Sequence, residues 1–77
     1  MDHQTLVFSG TLDPDAFLAF CAHRADRLSI IHDVLEHSSS RVEVTLRGHA
    51  TLIDMFEMAC SLGPEGSVVV ATSRKAA

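Results

Sequence analysis

The sequence predicts an α+β fold: a four-stranded antiparallel sheet carrying two helices on one face. Three observations predict it. Four short runs are rich in β-branched or aromatic residues, two longer stretches carry apolar residues at helical spacing, and they alternate in the order β-α-β-β-α-β. Two right-handed crossovers around a central hairpin place both helices on the same side, which is the ferredoxin-like sandwich.

The first strand is Thr5-Leu6-Val7-Phe8-Ser9, ended by Gly10. Asp13-Pro14-Asp15 then has the chemistry of a helix start. Asp13 can cap, Pro14 loses nothing at the first helical position, and Asp15 complements the helix dipole. The helix carries Ala16, Phe17, Phe20, Cys21, Ala25 and Leu28 as its apolar stripe. Ile30 to Leu35 reads as the second strand, followed by His37-Ser38-Ser39-Ser40, a polar cluster suited to a hairpin loop. Arg41 to Arg47 alternates strictly: Val42, Val44 and Leu46 face one way, Arg41, Glu43, Thr45 and Arg47 the other. Gly48 breaks that strand. A second helix runs to about Leu62 with Leu52, Ile53, Phe56, Ala59 and Cys60 inward and Met55 and Met58 widening the stripe. Gly63-Pro64 stops it. Ser67-Val68-Val69-Val70-Ala71-Thr72 is the last strand, and Ser73 to Ala77 is expected to fray.

Seventy-seven residues make one domain, 1–77, with no linker or low-complexity run to suggest a second. A chain this short buries only about 60% of its unfolded surface, and its 47% hydrophobic content suffices for one core. No apolar run approaches the roughly 18–20 residues of a membrane span. Met1-Asp2-His3-Gln4 lacks the pattern of a signal peptide, so a cytoplasmic location without membrane contact is expected. Cys21 and Cys60, each among apolar residues, are expected to be reduced core thiols, although spacing alone leaves a disulfide between the helices open. The net charge of −4 argues against nucleic-acid binding, which rests on clustered cations. Arg24 with Arg27, and Arg74 with Lys75, read as solvated faces. The sheet lacks the Trp and Tyr platforms that stack RNA bases. Protonating all five histidines would cancel the negative net charge, so solubility should depend on pH.

From Phe17 to Gly48 the residues fall, without a gap, on the pattern of one family. Phe17 and Phe20 match its helix aromatics, Leu28 its helix end, Val34 its second strand, Arg41-Val42-Glu43-Val44 its third, and Gly48 the glycine before its second helix. Phe56 and Gly63-Pro64 continue the register. From Gly10 to about Pro64 the chain thus resembles the acylphosphatases. That family carries a loop Gly-Arg-Val-Gln-Gly-Val-x-Phe-Arg, which here reads Gly10-Thr11-Leu12-Asp13-Pro14-Asp15-Ala16-Phe17-Leu18. The resemblance implies that the phosphate-holding Arg is Leu18 here, and that the water-positioning Asn falls on Glu36.

Both departures oppose the chemistry. A phosphate cradle needs backbone N–H donors around a cationic fork. Pro14 removes a donor, and Asp13 and Asp15 bring negative charge to the anion's place. A charge-assisted hydrogen bond is worth about 1.5–3 kcal/mol, and a preorganised polar group at a reaction centre about 10²–10³ in rate. The loop Gly10, Thr11, Leu12, Asp13, Pro14, Asp15 and Leu18 is therefore expected to be a degenerate anion loop without catalytic residues.

One other cluster carries chemistry, His32-Asp33-Val34-Leu35-Glu36-His37. On a regular strand His32 and Glu36 share a face, as an alternative polar site, and Asp33 and His37 share the other. A metal there would need His3 or His49 as well, and a polar strand end is the simpler expectation. Ser38-Ser39-Ser40 beside His37 is a hairpin loop rather than part of a triad. The Val68-Val69-Val70 run, apolar on both sides at a sheet edge, favours pairing with a second copy. The function expected is that of a non-catalytic module binding a protein or small ligand, without cofactor; the Val68–Val70 edge or the sheet face could pair with a second copy as a homodimer, or the tail with Arg74-Lys75 could cover the edge. The alternatives are an enzyme rebuilt around Glu36, His32 and Asp13, or a divergent acylphosphatase.

Overall fold

Alternation in the third strand sets the core. The computed structural model describes residues 2–76, arranged as β1 (Asp2–Thr11), α1 (Pro14–Arg27), β2 (Ile31–His37), β3 (Arg41–Gly48), α2 (Ala50–Leu62) and β4 (Val68–Ala76). Val42, Val44 and Leu46 of β3 are fully buried. Their partners Phe8, Leu6 and Gln4 in β1 share that face, because residues directly opposite in a ladder point to the same side. Phe17, Cys21 and Ala25 of α1 and Ile53, Phe56 and Cys60 of α2 close over it in one cluster. The sheet runs β2-β3-β1-β4, antiparallel throughout, so the expected βαββαβ ferredoxin-like sandwich is the observed one.

The helix start at Asp13 falls where the residues put it. The Asp13 carboxylate accepts the Ala16 N–H at 3.3 Å, Pro14 opens the helix, and Asp15 lies in its first turn. At the far end Ser29 takes a positive φ of 56° and the Ile30 N–H donates to the Ala25 carbonyl at 2.8 Å. Replacing Asp13 by Ala removes the cap, and a loss of about 1 kcal/mol is expected in urea unfolding. An unchanged midpoint would remove the capping role.

Three expectations are corrected. Ser73 to Ala76 does not fray: Ser73, Arg74 and Lys75 pair with Val7, Leu6 and Thr5, while Ala77 lies outside the described residues. The ladder extends because the polar side chains find partners on both faces. Arg74 reaches Asp54 at 2.7 Å and Glu57 at 2.9 Å on α2, and Lys75 reaches Glu43 at 3.2 Å on the open face. These exposed pairs contribute little energy each; the register with β1 sets which way each β4 side chain faces. Secondly, Met55 and Met58 do not widen the buried stripe; they are 50% and 68% exposed. At 100° per residue the helix can turn only one row down, and Ile53, Phe56 and Cys60 take it. Thirdly, β2 is irregular: Val34 lies opposite Val44 but Glu36 opposite Glu43, leaving Leu35 as an extra residue.

Cys21 and Cys60 are free thiols, both buried, with Sγ atoms 3.6 Å apart across the helix interface. The hydrogen bond from Cys21, and then burial, push the Cys60 thiol far above its usual value, so it stays protonated.

Candidate functional site

The β1–α1 loop is stitched to two other segments. The Gly10 N–H donates to the Ser40 carbonyl at 3.1 Å and the Leu12 N–H to the Ser39 carbonyl at 2.8 Å, both in the β2–β3 turn. The Asp13 N–H donates to Ser67 Oγ at 3.1 Å, just before β4. The Ala16 and Phe17 N–H groups donate to the Asp13 side chain and carbonyl, and Pro14 has no N–H. The backbone donors at Gly10, Leu12, Asp13, Ala16 and Phe17 thus all have acceptors within the protein. Leu12 turns its side chain into the core at 4% exposure, and Leu18 is half-buried against the same cluster.

Gly10 makes this arrangement possible. Its φ of 154° is one that side chains rarely adopt, and a Cβ there would stand 2.0 Å from the Val68 carbonyl oxygen. Ser9 lies opposite Ala71 and Gly10 opposite Val69, leaving Val70 as a bulge in β4. Close approach of β4 at this point is what carries Ser67 to Asp13.

The serine turn is equally occupied. Ser38 Oγ accepts the Ser40 and Arg41 N–H groups at 3.2 and 3.1 Å, and the Ser38 N–H donates to the Arg41 carbonyl at 2.8 Å. These hydroxyls build a turn, as the sequence suggested.

The bulge at Leu35 separates the alternative polar site. His32 lies opposite Leu46, on the helix side of the sheet, whereas Glu36 lies opposite Glu43, on the open side. One extra residue has reversed the alternation, so His32 and Glu36 do not share a face. Glu43 there is neutralised by Arg41 at 2.9 Å and Lys75 at 3.2 Å. On the open face a shallow hollow of about 410 Å³ is lined by His3, Ile31, Asp33, Thr45 and Arg47, with His32 at its border. His3, opposite Arg47 in the ladder, lies on the open face, so the two imidazoles project to opposite sides of the sheet. Among the described residues no group of three His, Cys, Asp or Glu side chains is placed to hold a metal, and no helix is long and apolar enough to cross a membrane.

A further cavity escaped the sequence reading. Between α1 and α2 a groove of about 500 Å³ is lined by Phe20, Arg24, Met55, Met58, Ala59, Leu62 and Gly63. The Arg24 guanidinium lies 5.3 Å from the centre of the Phe20 ring. Met55, Met58 and Leu62 form a second apolar row beside the buried one, and that row was the available signal.

No protein-family model matches the chain, and no curated protein does. Solved structures match it closely in shape. The acylphosphatase from Bacillus subtilis superposes with a TM-score of 0.87 at 23% identity, over 97% of this chain and 83% of its own. An acylphosphatase from Coxiella burnetii gives 0.85 at 19% identity, over 96% and 78%. The chain has the acylphosphatase fold.

Proposed function

We propose that this protein is a non-catalytic module with the acylphosphatase fold, acting by binding a protein or small ligand. The observation that carries the reading is the loop Gly10–Leu18. Its backbone donors at Gly10, Leu12, Asp13, Ala16 and Phe17 are occupied by Ser40, Ser39, Ser67 and Asp13, so a phosphate taking any of these donors would have to break an existing hydrogen bond. Leu18 offers it no charge, and Asp13 and Asp15 repel it. Glu36 cannot hold a water for attack on an anionic substrate without adding a like charge. The separation of Glu36 from His32 weighs against an enzyme rebuilt on that pair, and the Asp13 carboxylate is engaged at the helix cap.

Self-pairing through β4 is a weaker form of the proposal. Val68 and Val70 are 63% and 78% exposed on that edge, but the bulge at Val70 and the charge of Lys75 are both features that resist pairing.

Acetyl phosphate hydrolysis tests the reading. The native protein is expected to add nothing to the uncatalysed rate. A Leu18→Arg, Glu36→Asn double variant, confirmed folded by cooperative unfolding, is also expected to stay silent, because it restores a charge but frees no donor. Hydrolysis by the native protein at an enzymatic rate would overturn the proposal. Activity gained by the variant alone would uphold the lesion at Leu18 and Glu36 and refute the closed loop.

A further inference from the structure

The groove between α1 and α2 lies apart from the loop, and its chemistry is specific enough to name an occupant. Its walls are Phe20 on one helix and Met55, Met58 and Leu62 on the other. Met55, Met58 and Leu62 are 50%, 68% and 81% exposed. Three large apolar side chains in one row, left to water, lose the stabilisation that burial would give each of them. Methionine suits a surface that must adapt to a flexible guest, being unbranched and polarizable. The volume, about 500 Å³, falls in the range of small-molecule sites.

Charge selects the head group. Arg41, Arg74 and Lys75 each have a carboxylate partner, whereas Arg24, Arg27 and Arg47 have none among the described residues, and of these three Arg24 is the one that lines the groove. Phe20 holds the Arg24 guanidinium by its ring face at 5.3 Å, which fixes the cation at the groove without using its hydrogen-bonding edge. An acidic guest end at Arg24 and an apolar remainder along Met55, Met58 and Leu62 would therefore satisfy both halves of the surface. Arg24 is the one cation lining the groove, which matches a singly charged head.

We propose that this groove binds an amphiphilic monocarboxylate, its carboxylate on Arg24 and its hydrocarbon tail over Met55, Met58 and Leu62. The proposal is independent of the loop: a hydrolase and a non-hydrolase would bind this ligand equally. It also explains why the second apolar row on α2 is not polar, as the solvent face of a helix otherwise is.

The test is a titration of the protein, labelled at its methionine methyls, with octanoate and with octan-1-ol, followed by NMR. Saturable shifts of the Met55 and Met58 methyls are expected with octanoate. Arg24→Gln should weaken octanoate at least about tenfold, the size of a lost charge-assisted contact, and leave octan-1-ol unchanged. Met58→Glu, at an exposed position that does not threaten folding, should abolish both. Shifts that never saturate, or an octanoate affinity indifferent to Arg24→Gln, would overturn the proposal. So would a dimer that Met58→Glu converts to a monomer, since a second copy of the chain would then be the occupant.

Discussion

Replacing Gly10 by alanine is expected to destabilise the protein by about 3 kcal/mol or more, through backbone strain and collision together. The added Cβ would meet the Val68 carbonyl oxygen at 2.0 Å and the Val70 nitrogen at 2.9 Å. Both are backbone atoms of a paired strand, so neither can swing aside as a side-chain end can. Relief requires β4 to move off β1, and Ser67 then leaves Asp13. Gly66→Ala separates the two contributions. Gly66 also has a positive φ, 91°, but no atom within 4 Å of the added Cβ, so only strain is incurred, about 1–2 kcal/mol. For a domain of this size each kcal/mol lowers Tm by roughly 4–8 °C, and the two variants should differ visibly in thermal unfolding. Equal losses would mean that the close approach of β4 carries no energetic weight.

Phe17→Ala is expected to cost about 3–5 kcal/mol, from lost burial and the cavity left behind. The ring is fully buried and meets Phe8 edge-on, with centroids 5.4 Å apart and planes at 64°. Total stability for a chain of this length is only about 4–12 kcal/mol, so the variant should be partly unfolded in mild urea. The neighbouring Leu18→Ala removes a half-buried side chain and should cost roughly 1 kcal/mol. A Phe17→Ala loss no larger than that of Leu18→Ala would show that the core relaxes into the space.

The contrast between these neighbours bears on what the residues alone reveal. Asp13-Pro14-Asp15 specified its helix start locally, because the cap, the proline and the first-turn acid act within a few residues of one another. The β3 alternation was legible for the same reason. Met55 and Met58 misled because hydrophobicity states that a side chain prefers to be buried, not which partner is present to bury it. Ser73 to Lys75 look like a tail until Asp54, Glu57 and Glu43 are placed around them. The bulge at Leu35 is subtler still. A period of two carries no mark of an extra residue, yet that residue decides whether Glu36 faces with His32 or against it. In the candidate loop, the loss of the cationic position was visible at Leu18. The occupancy of the donors was not, since Ser39, Ser40 and Ser67 are distant in the chain and supply ordinary carbonyl and hydroxyl groups.

The placement of β1 between β3 and β4 has a kinetic side. Ser9 and Ala71, joined by a hydrogen bond from the Ser9 hydroxyl, are separated by 62 residues, so β1 acquires its second neighbour only when β4 docks. Ladders that close such long loops form slowly. Until then Leu6, Val7 and Phe8 lie on a strand with one edge bare, the kind of surface that pairs with other chains. Docking of β4 should therefore be the slow step of folding, and refolding yield is expected to fall with protein concentration while the stability of the finished fold does not change.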